Sequence, residues 1–296
     1  MQAVDLRRHL PKAALPVARR ALDAWHRVTF HRTATARWRA LPDFLLIGAQ
    51  KAGTTSFYHD LAAHPDILPA RAKEVHYFDR DAPAGRPERW YRAQFPLARR
   101  LKGGRITGEA TPAYLYDHQV PGRAAAMVPD AKLLILLRDP VARAVSAARA
   151  LQRSADLPAS MDDVLLEAAD VFEAADFDEL WQRPGKSRQQ MLFGLLARGC
   201  YARQLRHWQE HVPAEQMLVL SAERLFAKPA AVYQGATRFL GIRDWTPPRH
   251  AHHNPGQGKP QAVSPATEAR IRALLQPHDE ALWALLGVDE PWWPLG

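Results

Sequence analysis

Short apolar runs recur along the chain, and because each is too short for an ordinary helix, each predicts a buried β-strand. They lie at residues 43–48, 105–109, 132–137 and 216–220. Segments with the apolar spacing of helices lie between and after them, at residues 54–64, 121–128, 140–154, 188–210, 229–240 and 265–286. Strands that alternate with helices favour right-handed crossovers and a parallel sheet. The pattern predicts an α/β fold in which a single domain, residues 43–296, has a central parallel β-sheet flanked by helices.

Three segments fall outside this alternation. Residues 1–42 predict a basic helical arm whose apolar residues share one face, so the arm either packs on the domain or lies on an anionic membrane surface. Residues 155–187 are rich in acids and then break at a Pro-Gly pair, and this pattern assigns no element; a lid or an acceptor-binding insertion is one interpretation. Residues 246–264 are rich in Pro, Gly and His and predict a surface loop.

Composition places the chain among ordinary globular proteins, with 47% hydrophobic and 24% charged residues in a length of 296. No apolar run approaches the ~20 residues of a membrane span, and the first residues lack the apolar core of a secretory signal. The single cysteine, Cys200, excludes an internal disulfide and is expected to be buried. We therefore expect a cytoplasmic protein, with peripheral membrane contact through the arm as the alternative.

The net charge of +9 is concentrated at one end of the chain. Residues 1–42 hold nine Lys/Arg and two Asp/Glu, so they account for +7 of it. The rest of the chain is nearly balanced. The basic composition is therefore a poor argument for a nucleic-acid partner, and none is expected.

The segment 44–56, FLLIGAQKAGTTS, predicts a strand, a tight turn and the start of a helix, which is where parallel α/β sheets bind phosphate. In the nucleoside-triphosphatase loop a lysine follows the second glycine. Here a threonine follows that glycine, and the lysine comes two residues before it. The predicted phosphate-binding residues are Lys51, Ala52, Gly53, Thr54, Thr55 and Ser56.

A second anion site is predicted at the segment 133–146, LLILLRDPVARAVS. Arg138 follows a buried strand, where ligands of open α/β sheets bind, and Ser146 lies about two turns into the next helix. A guanidinium and a hydroxyl together suit a phosphate group. The alternative is that Arg138 pairs with Asp139 or a helix end and that Ser146 is a surface hydroxyl.

A third motif, KEVHYFD at residues 73–79, carries acid–base groups. If the segment is extended, Glu74 and His76 project to the same side, which suits a general base and its helper. The alternative is a half-buried edge strand with Val75 and Tyr77 inside.

These motifs, followed by GEATPAY at residues 108–114, resemble in order the sulfotransferases that use 3′-phosphoadenosine 5′-phosphosulfate (PAPS). The likeness is strongest to the carbohydrate type, the heparan sulfate sulfotransferase group and its bacterial relatives. It extends from about Phe44 to at least Leu240 and includes residues 198–208 and 217–225. The resemblance implies the P-loop-like sulfotransferase fold.

The resemblance also implies roles for individual residues. The loop that begins at Lys51 would hold the 5′-phosphosulfate, with Arg138 and Ser146 at the 3′-phosphate. Glu74 would be the general base, with His76 beside it, and Lys51 would stabilise the leaving group. Contacts to the substrate are expected from three further residues, namely Asp79, Glu109 and Thr111.

The implied reaction is sulfuryl transfer to a hydroxyl or amine of a carbohydrate, a glycolipid or a glycosylated small molecule, with PAP as product and no metal required. No HExxH or Cys–His metal spacing is present, and the loop histidines 250, 252 and 253 lack an acidic or cysteine partner.

The sequence departs from the family pattern at a few positions. Ala52 replaces a glycine common in relatives, and Ala110 replaces a lysine common in the animal enzymes. The late loop matches only loosely, so Lys259 is a weaker candidate for the cofactor phosphate.

Three other interpretations stay open. A P-loop nucleotide kinase or NTPase would need a lysine after Gly53 and an aspartate at a strand end for Mg²⁺. A noncatalytic carbohydrate- or lipid-binding module could share the fold. A small-phenol sulfotransferase would use a histidine base and a late RKGxxGDWK-like loop, which this sequence lacks.

Overall fold

A computed structural model describes residues 32–155, 160–183, 185, 187–247 and 263–294. Its centre is a four-stranded, wholly parallel sheet with the strand order β2-β1-β3-β4. The strands are β1 (Phe44–Gly48), β2 (Gly108–Ala110), β3 (Lys132–Leu137) and β4 (Met217–Ser221). The predicted fold class, a central parallel sheet flanked by helices, is confirmed.

Helices cover the sheet and extend the domain beyond it. In chain order they are α1 (Thr54–Ala62), α2 (Glu88–Arg92), α3 (Val120–Met127), α4 (Pro140–Ala155), α5 (Met161–Ala174), α6 (Phe177–Gln182), α7 (Arg188–Ala197), α8 (Tyr201–Gln209), α9 (Ala222–Ala227), α10 (Pro229–Leu240) and α11 (Pro265–Leu286). None of the helices within these described residues combines the length and apolar character of a transmembrane segment.

The two central strands form the core of the sheet because both of their faces are covered. All five residues of β1 are buried, and Leu45 lies opposite Leu133 of β3. Strands buried on both faces are continuously apolar, which is why these two could be predicted from sequence. The predicted strand at residues 105–109 is the least accurate: the ladder begins only at Gly108, and Ile106 makes an isolated bridge to Ile67.

The predicted single helix at residues 188–210 is wrong, because it is two helices, α7 and α8. Between them the chain turns at Gly199, which lies against Pro140 at the start of α4. A Cβ atom at position 199 would lie 2.8 Å from the Pro140 Cβ. The turn therefore depends on a contact with a distant part of the chain.

The acid-rich segment after α4 is part of the domain core. Helix α5 buries Val164, Leu165 and Ala168, which join a second hydrophobic cluster with Leu196 of α7 and Ile271 of α11. Ser160 caps α5 through a reciprocal hydrogen-bond pair with Asp163. Helix α5 is thus part of a packed core, which argues against a lid formed by that helix.

The chain ends pack on the same domain where the structure describes them. The Arg32 guanidinium donates to the carbonyl of Phe95, 2.7 Å away, and Arg39 forms a bridge with Leu97. Trp293 is buried against Trp283, with ring centroids 4.5 Å apart. Cys200 is buried, as predicted. Residues 1–31 lie outside the described residues, so the division at residue 42 stays a prediction.

Substitution of Gly199 by alanine should destabilise the domain, because the new methyl group meets Pro140 and the Leu196 carbonyl. Overpacking of this kind costs about 1–3 kcal/mol, measurable by urea unfolding. Gly235→Ala is the matched control: it lies within α10 with open space around it and should be neutral or stabilising by up to about 1 kcal/mol. Equal stability of the two variants would contradict the proposed contact.

Candidate functional site

The carboxyl ends of β1 and β3 bring the two predicted anion motifs together. After β1 the chain makes a turn in which Lys51 has φ 71° and Gly53 has φ 91°, and α1 then begins at Thr54. Gly53 suits the left-handed conformation because it has no Cβ. As Gly53 is also the N-cap, no side chain caps α1 from that position. The first-turn N–H groups and the positive end of the helix dipole suit an anion.

Arg138, at the end of β3, reaches this turn directly. Its Nη1 donates to the Lys51 carbonyl oxygen at 3.0 Å, and its own carbonyl accepts a hydrogen bond from the Tyr201 hydroxyl. The alternative pairing of Arg138 with Asp139 is wrong. The Asp139 carboxylate instead contacts Arg272 at 3.1 Å and caps the first turn of α4 at Val141.

Ser146 lies on α4, two turns after Arg138, and is half-buried. Within the described residues no hydrogen bond joins its hydroxyl to Arg138. Lys259 and the histidines 250, 252 and 253 lie outside the described residues.

The Glu74–Asp79 segment is not a strand, so the condition of an extended segment is not met and the alternative of an edge strand is wrong. Glu74 and His76 have φ values of 61° and 56°, and a single π-helical turn follows over Tyr77–Asp81. The acid–base groups nevertheless meet. The His76 ring contacts Glu74 Oε2 through Nε2 at 3.4 Å and Asp79 Oδ2 through Nδ1 at 2.8 Å.

These contacts set the charges of the cluster. The His76 hydrogen bond, with a smaller contribution from Lys73 at 2.7 Å, outweighs the effect of burial and lowers the pKa of Glu74 to about 2. Burial alone would lower the pKa of His76, but the bonds to Asp79 and then Glu74 outweigh it and raise that pKa to about 9. At neutral pH the cluster therefore holds an ionised Glu74 beside a protonated His76.

Glu109, the middle residue of β2, is fully buried under this cluster. Three hydroxyl groups donate to its carboxylate: Tyr91 at 2.7 Å, Thr111 at 2.7 Å and Tyr114 at 3.2 Å. Burial raises the pKa of Glu109, and these hydrogen bonds oppose the shift.

The same hydroxyls hold the backbone that follows Glu74. Thr111 Oγ1 accepts from the His76 N–H at 3.4 Å, and the Tyr114 hydroxyl accepts from the Tyr77 N–H at 2.9 Å. Glu74 itself donates its N–H to the Ala110 carbonyl at 2.8 Å. The end of β2 thus positions the Glu74–Asp79 segment.

Burial contradicts the predicted substrate contacts of Glu109 and Thr111, because both are 0% exposed. Both residues instead support the backbone at His76, because Glu109 accepts from the Thr111 hydroxyl and Thr111 accepts from the His76 N–H. The Asp79 side chain is 7% exposed, and its Oδ2 is hydrogen-bonded to the His76 ring, so it orients that ring.

Sequence reasoning missed Arg198, at the end of α7. Its guanidinium carbon lies 4.1 Å from the centre of the Tyr116 ring, and no hydrogen bond or ion pair holds it within the described residues. Burial lowers the pKa of Arg198, whereas Tyr116, Asp117 and Asp79 favour its charged form. The only signal in sequence was an arginine before Gly199 in a stretch that matches the family.

Comparison with known proteins identifies the family of the chain. Residues 41–253 match the family described as the sulfotransferase domain. Heparan sulfate glucosamine 3-O-sulfotransferase 3B1 of Homo sapiens is 34% identical over 227 residues, which are 75% of this chain and 52% of that protein. Heparan sulfate glucosamine 3-O-sulfotransferase 6 of Homo sapiens is 33% identical over 80% of this chain and 63% of that protein.

A solved structure supports the fold. The sulfotransferase from Alicyclobacillus acidocaldarius is 26% identical, with a TM-score of 0.65, over 85% of this chain and 98% of its own. The chain spans about half to two thirds of the length of the curated relatives above. With the family match over most of the chain, these likenesses show that the protein belongs to the sulfotransferase family.

Proposed function

We propose that this protein transfers the sulfuryl group of PAPS to a hydroxyl or amine of a carbohydrate-containing acceptor, a glycolipid or glycosylated small molecule included. The observation that carries the proposal is the hydrogen bond between Arg138 and the Lys51 carbonyl. It joins the two predicted anion-binding motifs at the carboxyl end of the sheet. The acid–base cluster lies at the neighbouring strand β2, to which the Glu74 N–H is hydrogen-bonded.

The residues at this edge fit a donor with phosphate at both ends of its ribose. Bound PAPS would supply an activated sulfuryl group and a good leaving group. The turn at Lys51 and the start of α1 offer backbone N–H groups to the 5′ end. Arg138 and Ser146 offer a guanidinium and a hydroxyl to the 3′-phosphate. Lys51 would stabilise the negative charge that develops on the bridging oxygen.

Glu74 is the proposed base. Its carboxylate is ionised at neutral pH and 46% exposed, so an acceptor can reach it. An acceptor hydroxyl that replaces Lys73 or His76 as hydrogen-bond donor would reduce the stabilisation of the anion and so raise the basicity of Glu74. The acceptor proton passes to Glu74 while the acceptor oxygen bonds to sulfur and the bond to the bridging oxygen breaks.

Arg198 is the proposed contact for an anionic group of the acceptor. It lies over Tyr116, within electrostatic range of Asp79, and its charge is not neutralised by an ion pair among the described residues. Heparan sulfate, named in the relatives, carries such anionic groups. The cytoplasmic location and the membrane contact of the arm stay predictions.

Calorimetry with adenosine 3′,5′-bisphosphate (PAP) tests the donor assignment. We expect binding of PAP without metal and much weaker binding of ATP–Mg²⁺. Incubation with labelled PAPS and heparan sulfate, then with glycolipid and small-molecule extracts, should give a product whose mass identifies the acceptor. Tight ATP–Mg²⁺ binding without PAP binding would overturn the assignment.

Donor binding and proton removal should separate in two variants. Glu74→Gln should lower turnover by about 10²–10⁴-fold and leave PAP affinity nearly intact, because it removes only the base. Arg138→Ala should weaken PAP binding, because a guanidinium contact to phosphate is lost. Lys51→Ala should also lower turnover by two or more orders of magnitude (~10²–10³).

Arg243→Ala is the control for Arg138→Ala, because it removes one positive charge at a different place: Arg243 is 71% exposed and pairs with Asp66 at 2.7 Å. It should leave PAP affinity unchanged. Near-normal turnover in Glu74→Gln would remove that residue from the role of base.

The His76 contact should control the acidic limb of the pH profile. His76→Asn keeps a residue type that tolerates left-handed φ but removes the charged donor to Glu74. The pKa of Glu74 should then rise from about 2 toward its ordinary value of 4.5. The base must be ionised, so kcat/KM should fall at a higher pH on acidification than in the wild type. Profiles between about pH 4 and 7 that superimpose would contradict the coupling.

The hydroxyl of Tyr114 should matter more than that of Tyr91. Tyr114→Phe leaves the buried N–H groups of Tyr77 and Phe78 without their acceptor, which should cost about 1–3 kcal/mol of unfolding free energy and lower turnover. Tyr91→Phe removes a single donor to Glu109 and is the matched control, at about 0.5–1.5 kcal/mol. A larger loss of turnover in Tyr91→Phe would contradict the positioning role.

A further inference from the structure

The C-terminal end of α8 carries a cluster of histidine and acid side chains that the proposed reaction does not use. Three ligand atoms, one each from His207, Glu210 and His211, lie within 4.8 Å of one another. We propose that these residues bind a divalent transition-metal ion, with Zn²⁺ as the best fit. Imidazole nitrogens with a carboxylate oxygen are an established zinc ligand set.

The sequence spacing explains how a helix end presents the three side chains together. His207 lies in the last turn of α8, Glu210 caps that helix with helical φ and ψ, and His211 follows it. The i, i+3, i+4 spacing therefore still places the three side chains on one side. The order His-x-x-Glu-His reverses the HExxH pattern of zinc enzymes, in which the two histidines bind the metal and the glutamate is the general base. The motif therefore supports His207 and His211 as ligands, and Glu210 is assigned as the third from its distance alone. A search for HExxH alone overlooks the reversed order.

The hydrogen bonds of His207 prepare one of its nitrogens for a cation. Its Nε2 lies 2.8 Å from the carbonyl oxygen of His118. A carbonyl oxygen can only accept, so Nε2 carries a hydrogen. The ring of a metal-binding histidine is commonly held in this way, through a hydrogen bond from its other nitrogen to a carbonyl.

The other nitrogen, Nδ1, then lies 2.9 Å from Glu210 Oε2. That distance is short for two zinc ligands and suits a hydrogen-bonded pair. A metal ion would replace the hydrogen bond and move the two atoms apart to the spacing of zinc ligands, so the experiment must distinguish the two cases.

His211 favours the metal. Its side chain is exposed, its ring centroid lies 5.5 Å from that of His207, and no hydrogen bond engages its ring nitrogens within the described residues. Zinc–ligand bonds of about 2.0–2.2 Å place neighbouring ligands roughly 3.2–3.6 Å apart. Glu210 is 64% exposed, so its side chain has room to adjust to that geometry.

The surroundings hold the His207 ring, whereas Glu210 and His211 face solvent. The His207 side chain is only 13% exposed, with the His118 ring stacked on it at 4.2 Å and Trp181 edge-on at 5.5 Å. Three protein ligands leave a fourth position for water. Because the His118 carbonyl holds the first ligand, a bound ion would also tie α8 to the loop that carries Tyr116.

The test is titration of the chelator-treated full chain with Zn²⁺ and, for spectroscopy, Co²⁺. We expect saturable binding, the visible bands of four-coordinate Co²⁺ and a rise in melting temperature on addition of Zn²⁺. The variant His207→Ala/His211→Ala should weaken this binding by at least about 100-fold, since even outer-shell changes cost 10–100-fold.

The matched control is His250→Ala/His252→Ala/His253→Ala, which removes the other histidine-rich group in the sequence. It should leave the binding unchanged. His211→Gln, at an exposed position, is the milder variant if the double variant fails to fold. Retained affinity in both α8 variants, loss confined to the loop variant, or no saturable binding in the wild type would each overturn the proposal.

Discussion

The buried carboxylate of Glu109 is the constraint on which the candidate site depends. A carboxylate without access to water needs hydrogen-bond donors, and Tyr91, Thr111 and Tyr114 supply them. Two of these hydroxyls also accept from the backbone of the segment that follows Glu74. A group in the sheet thus fixes a loop in which Glu74 and His76 both adopt left-handed φ. Such conformations persist only where the surrounding structure determines them.

That loop geometry in turn sets the chemistry. Because His76 bridges Glu74 and Asp79, Glu74 stays ionised and His76 stays protonated across the neutral range. The pair is stabilised by its own contacts, so Glu74, if it is the proposed base, would be a weak one until an acceptor molecule replaced one of its hydrogen-bond donors. An acceptor molecule that could not make this exchange would keep its proton, which would link binding to reactivity.

Much of this arrangement could be predicted from local sequence, and the exceptions share a cause. The apolar run of β3 and the helix Pro229–Leu240 were predicted with the bounds that the structure has, because burial on both faces and a proline at a helix start are local signals. The break at Gly199 depends on Pro140, and the left-handed residues 74 and 76 depend on Glu109. Those partners are remote in sequence, so no local pattern predicts the turn or the two left-handed residues.

The packing of α5 bears on how an acceptor could be selected. A lid at residues 155–187 would choose acceptors by closing over them, but α5 buries its apolar face in a core shared with α7 and α11. Helices held in that way resist large movements. Arg198 follows the last residue of α7, and its guanidinium lies over the Tyr116 ring, where burial lowers its pKa. The proposed contact of Arg198, rather than closure of α5, would then select the acceptor, and it would favour one that carries an anion.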